Sequence, residues 1–178
     1  MPLPIAHGLI GASLVIAARE EFSWRENWWP LLVGAVLAVT PDFDLFFAWT
    51  FGFSDRLHGG VSHSILFAIP LGLLGAPAAR EFTRRGILTY FAIALSHGLL
   101  DFVTKKEFGG AALLWPFSSQ KLRLGIFSYY EFTPAFKQQP LTEILEGALN
   151  VCYYEVLTFV PLFVAVLIWK NWRQRRAW

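Results

Sequence analysis

Cysteine is almost absent from this 178-residue chain. The one copy, Cys152, excludes an intrachain disulfide and any thiolate zinc cluster, so a metal bound here must use nitrogen and oxygen ligands. Charge is scarce too, at 16% of residues, and a net charge of +2 spread over mixed signs leaves no basic face to track a phosphate backbone. Nucleic-acid binding therefore has no compositional support. Several patterns are missing outright: there is no H-E-x-x-H, no P-loop, no G-x-G-x-x-G, no repeat of fixed period and no low-complexity tract. The opening "MPLPIAHGLIGASLVIAAREE" has no basic stretch before its apolar run and no clear small-residue cleavage site, so a retained first helix is expected rather than a signal peptide.

What the chain does have is apolar surface. Hydrophobic residues make up 55% and aromatic residues 17%, and the mean hydropathy is +0.45. That is too apolar for an ordinary soluble domain. Five apolar segments stand out: Ile5 to Ala18, Trp28 to Val39 continuing weakly to Phe53, Ser64 to Ala79, Ile87 to Leu100, and Tyr153 to Trp169. Several fall short of the roughly 20 residues that span a bilayer core, which membrane helices running on into a protruding helical head would reconcile. From Phe102 to Val151 the chain is mixed, and "LLWPFSSQKLRLGIFSYYEFTP" reads as an aromatic-rich loop and short helix capping one end. The fold expected is all-α: one membrane-embedded domain over residues 1–178, an integral bundle of about five apolar helices with a loop and short-helix cap. Trp24, Trp28, Trp29, Trp49, Trp169, Trp172 and Trp178 flank apolar segments and are expected to form an interfacial belt, with Trp115 set apart from them on the capped side.

Charge predicts orientation. Arg19 and Arg25 lie between the first two segments, Arg80, Arg84 and Arg85 between the third and fourth, and Lys170, Arg173, Arg175 and Arg176 after the last. An alternating walk through the membrane puts these on one side. His7, Asp42, Asp44, His63, His97, Asp101 and Glu155 fall on the other, with Arg56, Lys105, Lys106, Lys121, Arg123 and Lys137 nearby, mostly in the long loop. The positive-inside tendency makes the basic clusters cytoplasmic, so the polar residues are expected to face the periplasm or exterior.

Those polar residues carry the chemistry. "SHGLLDFVT" sets His97 and Asp101 four apart, on one helix face, either as two metal ligands or as a histidine hydrogen-bonded to a carboxylate. "TPDFDLF" places Asp42 and Asp44 after a proline inside an apolar run, where each would cost several kcal/mol if buried uncompensated. Asp42 could instead cap a helix. The two carboxylates point in different directions in any regular structure, so one is expected to bind metal and the other to orient a histidine. In "HGGVSHS" the glycines let the backbone turn so that His58 and His63 converge, with Ser62 or Ser64 as a neighbouring donor. All four histidines of the chain lie at the same expected end as the aspartates, which favours a metal site. Glu155 is either an additional ligand or a carboxylate exposed at the interface. Ser62, Ser64, His63 and Asp101 could supply a serine-hydrolase triad by type, but no strand-flanked G-x-S-x-G elbow supports one.

"AHGLIGA", "TPDFD", "HGGVSHS", "SHGLLDFVT" and "LLWPFS", in this order from about His7 to Phe117, resemble the YdjM-like inner-membrane proteins. These are a bacterial and archaeal family of membrane-bound metal-dependent hydrolases whose type member is described as LexA-regulated. Where that family often has H-R-G-x-[ST]-H-S, this chain has "HGGVSHS", and Arg56 is the candidate substitute for the missing arginine. A looser likeness, to zinc-dependent phospholipase C and the P1-type nucleases, lies in the order of an early histidine, an aspartate, a histidine and then H-x-x-x-D. It implies that His7, Asp42 or Asp44, His58, and the His97 and Asp101 pair hold metal. The expected protein is thus a hydrolase of the bacterial or archaeal inner membrane with one or two divalent ions, zinc by ligand type, bound among His7, Asp42, Asp44, His58, His63, His97, Asp101 and Glu155. Asp42, Asp44, His63 and Arg56 are the expected catalytic groups, and the expected substrate is a lipid or lipid-linked phosphoester. The alternative is a scaffold or regulator in which metal pins helices together. A transporter is disfavoured, because the polar groups cluster at one end.

Overall fold

The computed structural model describes residues 4–51, 58–104, 110–126 and 140–176. Among these residues six α-helices follow one another: α1 (Pro4–Ala18), α2 (Trp24–Val39), α3 (Phe43–Phe51), α4 (Ile65–Ala78), α5 (Arg84–Val103) and α6 (Leu141–Arg176). A 3-10 turn, Thr40–Asp42, joins α2 to α3 so closely that helical structure runs on from Trp24 to Phe47, which makes five apolar helical units as expected. Pro41 sits at the start of that turn, where its missing N–H costs little. A second 3-10 turn, Val61–His63, leads into α4. Ser64 caps α4 by accepting the Phe67 N–H, and Thr83 caps α5 by accepting the Gly86 N–H. Among the described residues the extended structure is confined to isolated pairings such as Ala111 with Leu122.

Among the described residues three helical stretches are long and apolar enough to cross a membrane: Trp24–Phe47, Arg84–Val103 and Leu141–Arg176. The apolar window of the last is only 17% buried within the protein. Lipid is the medium that makes such exposure favourable. At 36 residues, α6 is about 54 Å long against a hydrocarbon core of about 30 Å. The last helix was expected from Tyr153, yet it begins at Leu141. The polar residues of "LTEILEGALN" mark helix that leaves the apolar layer rather than a loop, since Leu, Glu and Ala hold a helix equally well in water.

The helices α1 and α2 pack with almost no side chain between them. A Cβ on Gly11 would lie 2.4 Å from the Gly34 carbonyl oxygen, so small residues set this crossing. Val15, Ile16, Leu31, Tyr90 and Ile93 fill the main core. Ala6, Leu100 and Phe159 form a smaller apolar cluster near the other end. Residues 110–126 lie across that end: Ala112 N donates to Gly59 O (2.8 Å), Ile65 N to Leu113 O (3.0 Å) and Leu124 N to Phe102 O (2.7 Å).

Helical rise separates the two ends. His7 to Arg19 and His97 to Arg85 each span twelve residues, roughly 18 Å, and Glu155 to Lys170 spans fifteen, roughly 22 Å. Three helices thus carry histidine or acid at one end and a cation at the other.

Candidate metal centre

Five separate elements deliver the polar side chains. His7 comes from α1, Asp42 from the 3-10 turn after α2, Asp44 from the first turn of α3, His63 from the second 3-10 turn, and His97 and Asp101 from α5. His58 sits on the turn that Gly59 makes possible. Gly59 has φ +74°, and a Cβ there would also strike Gly110 O at 2.5 Å. The reversal brings the His58 and His63 rings to 4.8 Å between centroids. Gly98 allows the second close approach, because a Cβ at that position would lie 2.4 Å from His63 O.

The cluster is tight. His97 Nε2 lies 3.0 Å from His63 Nε2 and 3.2 Å from Asp42 Oδ1, and His63 Nε2 lies 3.2 Å from Asp101 Oδ2. His7 stacks on His97 with centroids 3.8 Å apart, and its Nε2 is 4.0 Å from Asp101 Oδ1. His58 Nδ1 is 2.8 Å from Asp44 Oδ1. Three groups bring one ligand atom per residue within 4.8 Å of one another: His7, Asp42 and His97; Asp42, His58 and His63; and His63, His97 and Asp101. Asp42, His63 and His97 each belong to two of them, so the candidate positions overlap.

Hydrogen bonds on the outer ring nitrogens assign the tautomers. His97 Nδ1–H donates to Ala38 O at 2.7 Å, which turns the Nε2 lone pair inward. Ser62 Oγ–H donates to Asp44 Oδ2 at 2.6 Å, so Ser62 Oγ accepts from His63 Nδ1–H at 2.9 Å. In the neutral rings two lone pairs then face each other across 3.0 Å, which is repulsive unless something positive lies between or beside them. A proton on His63 is one solution. Burial pulls its imidazolium down, but the bonds to Asp101 and Asp42 outweigh that and raise it to about 9. That single proton leaves Asp42 Oδ2 and His58 Nε2 buried with no hydrogen-bond partner among the described residues. Orphaned acceptors of this kind beside a cluster of lone pairs fit one or two cations bound through nitrogen and oxygen.

The expected site residues separate into layers. His7, His63, His97, Asp101 and Asp42 crowd together, and Asp42 does so in place of capping a helix, with Oδ1 turned to His97. Asp44 holds His58 and Ser62 from behind. Glu155 stands apart from the three groups and is fully buried. Its Oε2 accepts the Ala6 N–H at 3.1 Å, at the first turn of α1 beside His7. Arg56 lies outside the described residues, as do Lys105, Lys106, Lys137 and Trp178. Two supports had no sequence signal: the Ala38 carbonyl, and Lys121, whose Nζ donates to His58 O at 2.6 Å. Among the described residues of the cluster, exposure is confined to one side. The side chains of Asp42, His58 and Asp44 are 11, 14 and 16% exposed, against 0 to 1% for His7, His63, His97 and Asp101.

Apolar helices long enough to cross a bilayer, closed at one end by a buried histidine and aspartate cluster, define a polytopic membrane protein with a candidate cation site. The chain belongs to the YdjM inner membrane protein family, whose model matches residues 1–173. It is 34% identical over 125 residues to the inner membrane protein YbcI of Escherichia coli (strain K12), an alignment covering 67% of this chain and 66% of the relative. The protein is accordingly an inner-membrane protein. No solved structure matches it.

Proposed function

We propose that this protein is a metal-dependent hydrolase of the inner membrane acting on a phosphoester of a lipid or lipid-linked substrate. The facing Nε2 atoms of His63 and His97, 3.0 Å apart and bracketed by Asp42 and Asp101, carry the reading. His7, Asp42, His63, His97 and Asp101 would hold the ion, with His58 and Asp42 toward a second position. Zinc suits imidazole with carboxylate. When bound, a divalent cation supplies Lewis acidity, polarising a phosphoryl oxygen and lowering the pKa of water toward ~7. The protein's own groups do the rest. Asp44 and Ser62 fix the His58 and His63 rings, Ala38 fixes His97, and Asp42, on the solvent-reached edge, would hold the ion where water arrives. Arg56 is the candidate for neutralising the charge that develops on a phosphoryl oxygen. The basic end faces the cytoplasm in this reading, which sets the site toward the periplasm.

The near-complete burial of His63, His97 and Asp101 favours a second reading, a non-catalytic centre that pins α1, α4 and α5 together. Elemental analysis of the purified protein, paired with phospholipid hydrolysis before and after chelation, separates the two. Metal content with chelator-sensitive hydrolysis is expected. Metal content without turnover on any phosphoester, with chelation lowering the melting temperature, would leave the scaffold.

A further inference from the structure

The end of the bundle opposite the histidines holds a second polar construction. Beside α1, α5 and α6 opens a cavity of about 490 Å3 lined by four cations, Arg19, Arg85, Lys170 and Arg173, and two carboxylates, Glu20 and Glu21, among others. That volume lies in the range of small-ligand sites. Two of its cations are already paired, Arg19 with Glu81 and Arg85 with Glu20. Lys170 and Arg173 have no ion-pair partner among the described residues. Lys170 is only 4% exposed, and its Nζ donates to the Arg19 carbonyl oxygen, a neutral acceptor that serves one of three N–H groups. Arg173 is held over the Trp169 ring at 5.3 Å, and Arg176 over Trp172 at 3.8 Å, so α6 meets the interface here with its cations held in place rather than trailing in water.

A buried ammonium bonded to a neutral carbonyl, beside a guanidinium with no carboxylate partner among the described residues, is electrostatically incomplete in a cavity of this size. We infer that this cavity binds the phosphate of an anionic phospholipid headgroup, with Lys170 and Arg173 as the principal donors. Phosphate is the anion that matches a point-charge lysine next to an arginine fork. The position between membrane helices, at the level of Trp169 and Trp172, makes a lipid the natural carrier. Nothing in this inference depends on the metal centre or on hydrolysis.

The test uses the full chain in detergent, with lipid retention read by native mass spectrometry for phosphatidylglycerol, phosphatidylcholine and inorganic phosphate. Phosphatidylglycerol should be retained over phosphatidylcholine, and each of Arg173→Gln and Lys170→Gln should weaken it about fivefold, the share of one cation near an anionic surface. Arg173 is exposed on the helix surface, so its variant reports binding even if Lys170→Gln impairs folding. Gly8→Ala, at the other end of α1, where a Cβ would meet its nearest neighbour at 3.8 Å, should leave the preference intact. Equal retention of the two lipids, an unchanged preference in Arg173→Gln, or binding of inorganic phosphate without any preference for phosphatidylglycerol would overturn the inference.

Discussion

The Nε2 atoms of His63 and His97 face each other at 3.0 Å, although the two residues are 34 positions apart and enter from different elements. Because the outer nitrogens of both rings are committed to Ser62 and Ala38, neither ring can rotate away without breaking a hydrogen bond. His97→Ala and Asp101→Ala are therefore each expected to reduce the metal content of purified protein by at least tenfold, a loss no smaller than that caused by mutating an outer partner. Inductively coupled plasma analysis of the variants against wild type measures it. Full metal occupancy in both variants would remove these residues from the site.

Asp44 offers a graded comparison. Its Oδ1 meets His58 Nδ1 at 2.8 Å, and its Oδ2 accepts from Ser62. Asp44→Asn keeps the shape but loses the charge and one acceptor, so metal affinity should fall about 10- to 100-fold. Asp42→Asn should be worse, since Asp42 belongs to two of the three ligand groups. Competitive titration with a chromophoric chelator ranks the two. An order with Asp44→Asn the more damaging would reverse the roles given to the two carboxylates.

Much of this arrangement was legible in the chain itself. The helical period carries His97 and Asp101 to one face, and alternation through the membrane gathers all four histidines at one end. The carboxylates of "TPDFD" had to find positive partners, and Gly59 had to reverse the chain between two imidazoles. What periodicity does not carry is the partner of each atom. Nothing in the residues near Ala38 marks its carbonyl as the acceptor for His97, because any backbone oxygen could serve. The start of α6 was hidden for a different reason: hydropathy marks where a helix enters lipid, whereas helix propensity and Pro140 mark where it begins.

Glu155 tests whether a buried carboxylate orients the site from outside it. Its Oε2 accepts the Ala6 N–H, one of the first-turn donors of α1 that have no partner within their own helix. Glu155→Gln retains a carbonyl acceptor and is expected to keep metal. Glu155→Ala strands a buried N–H and should cost about 1–3 kcal/mol, with weaker metal binding through the displaced first turn that carries His7. Thermal unfolding in detergent and metal analysis of both variants provide the readouts. Loss of metal from the glutamine variant at unchanged stability would make Glu155 a ligand.

Orientation is open to direct measurement because the chain has one native cysteine. In a Cys152→Ser background, Gln120→Cys reports the capped end and Phe82→Cys, at a side chain 78% exposed, reports the basic end. Positive-inside topology predicts that a membrane-impermeant maleimide labels Gln120→Cys once the outer membrane is permeabilised and labels Phe82→Cys only after lysis. The opposite pattern would place the histidine cluster in the cytoplasm.

Gly98 separates geometry from ligand chemistry, since it lies beside His97 yet offers no side chain to a metal. The 3-10 turn that ends in His63 rests against it, and an added Cβ would sit 2.4 Å from His63 O and 3.0 Å from a Leu113 methyl. The backbone oxygen cannot swing aside as a flexible side chain could, so Gly98→Ala must push the His63 turn off α5. The cost should be about 1–3 kcal/mol, as for overpacking in a filled interior. Even a fraction of an ångström of displacement opens the distance between His63 and His97. The variant should therefore lose metal affinity although every candidate ligand is retained, and a parallel Gly8→Ala, whose Cβ would meet its nearest neighbour at 3.8 Å, should lose neither stability nor metal. Equal behaviour of the two variants would mean that the approach of the His63 turn to α5 does not control the site.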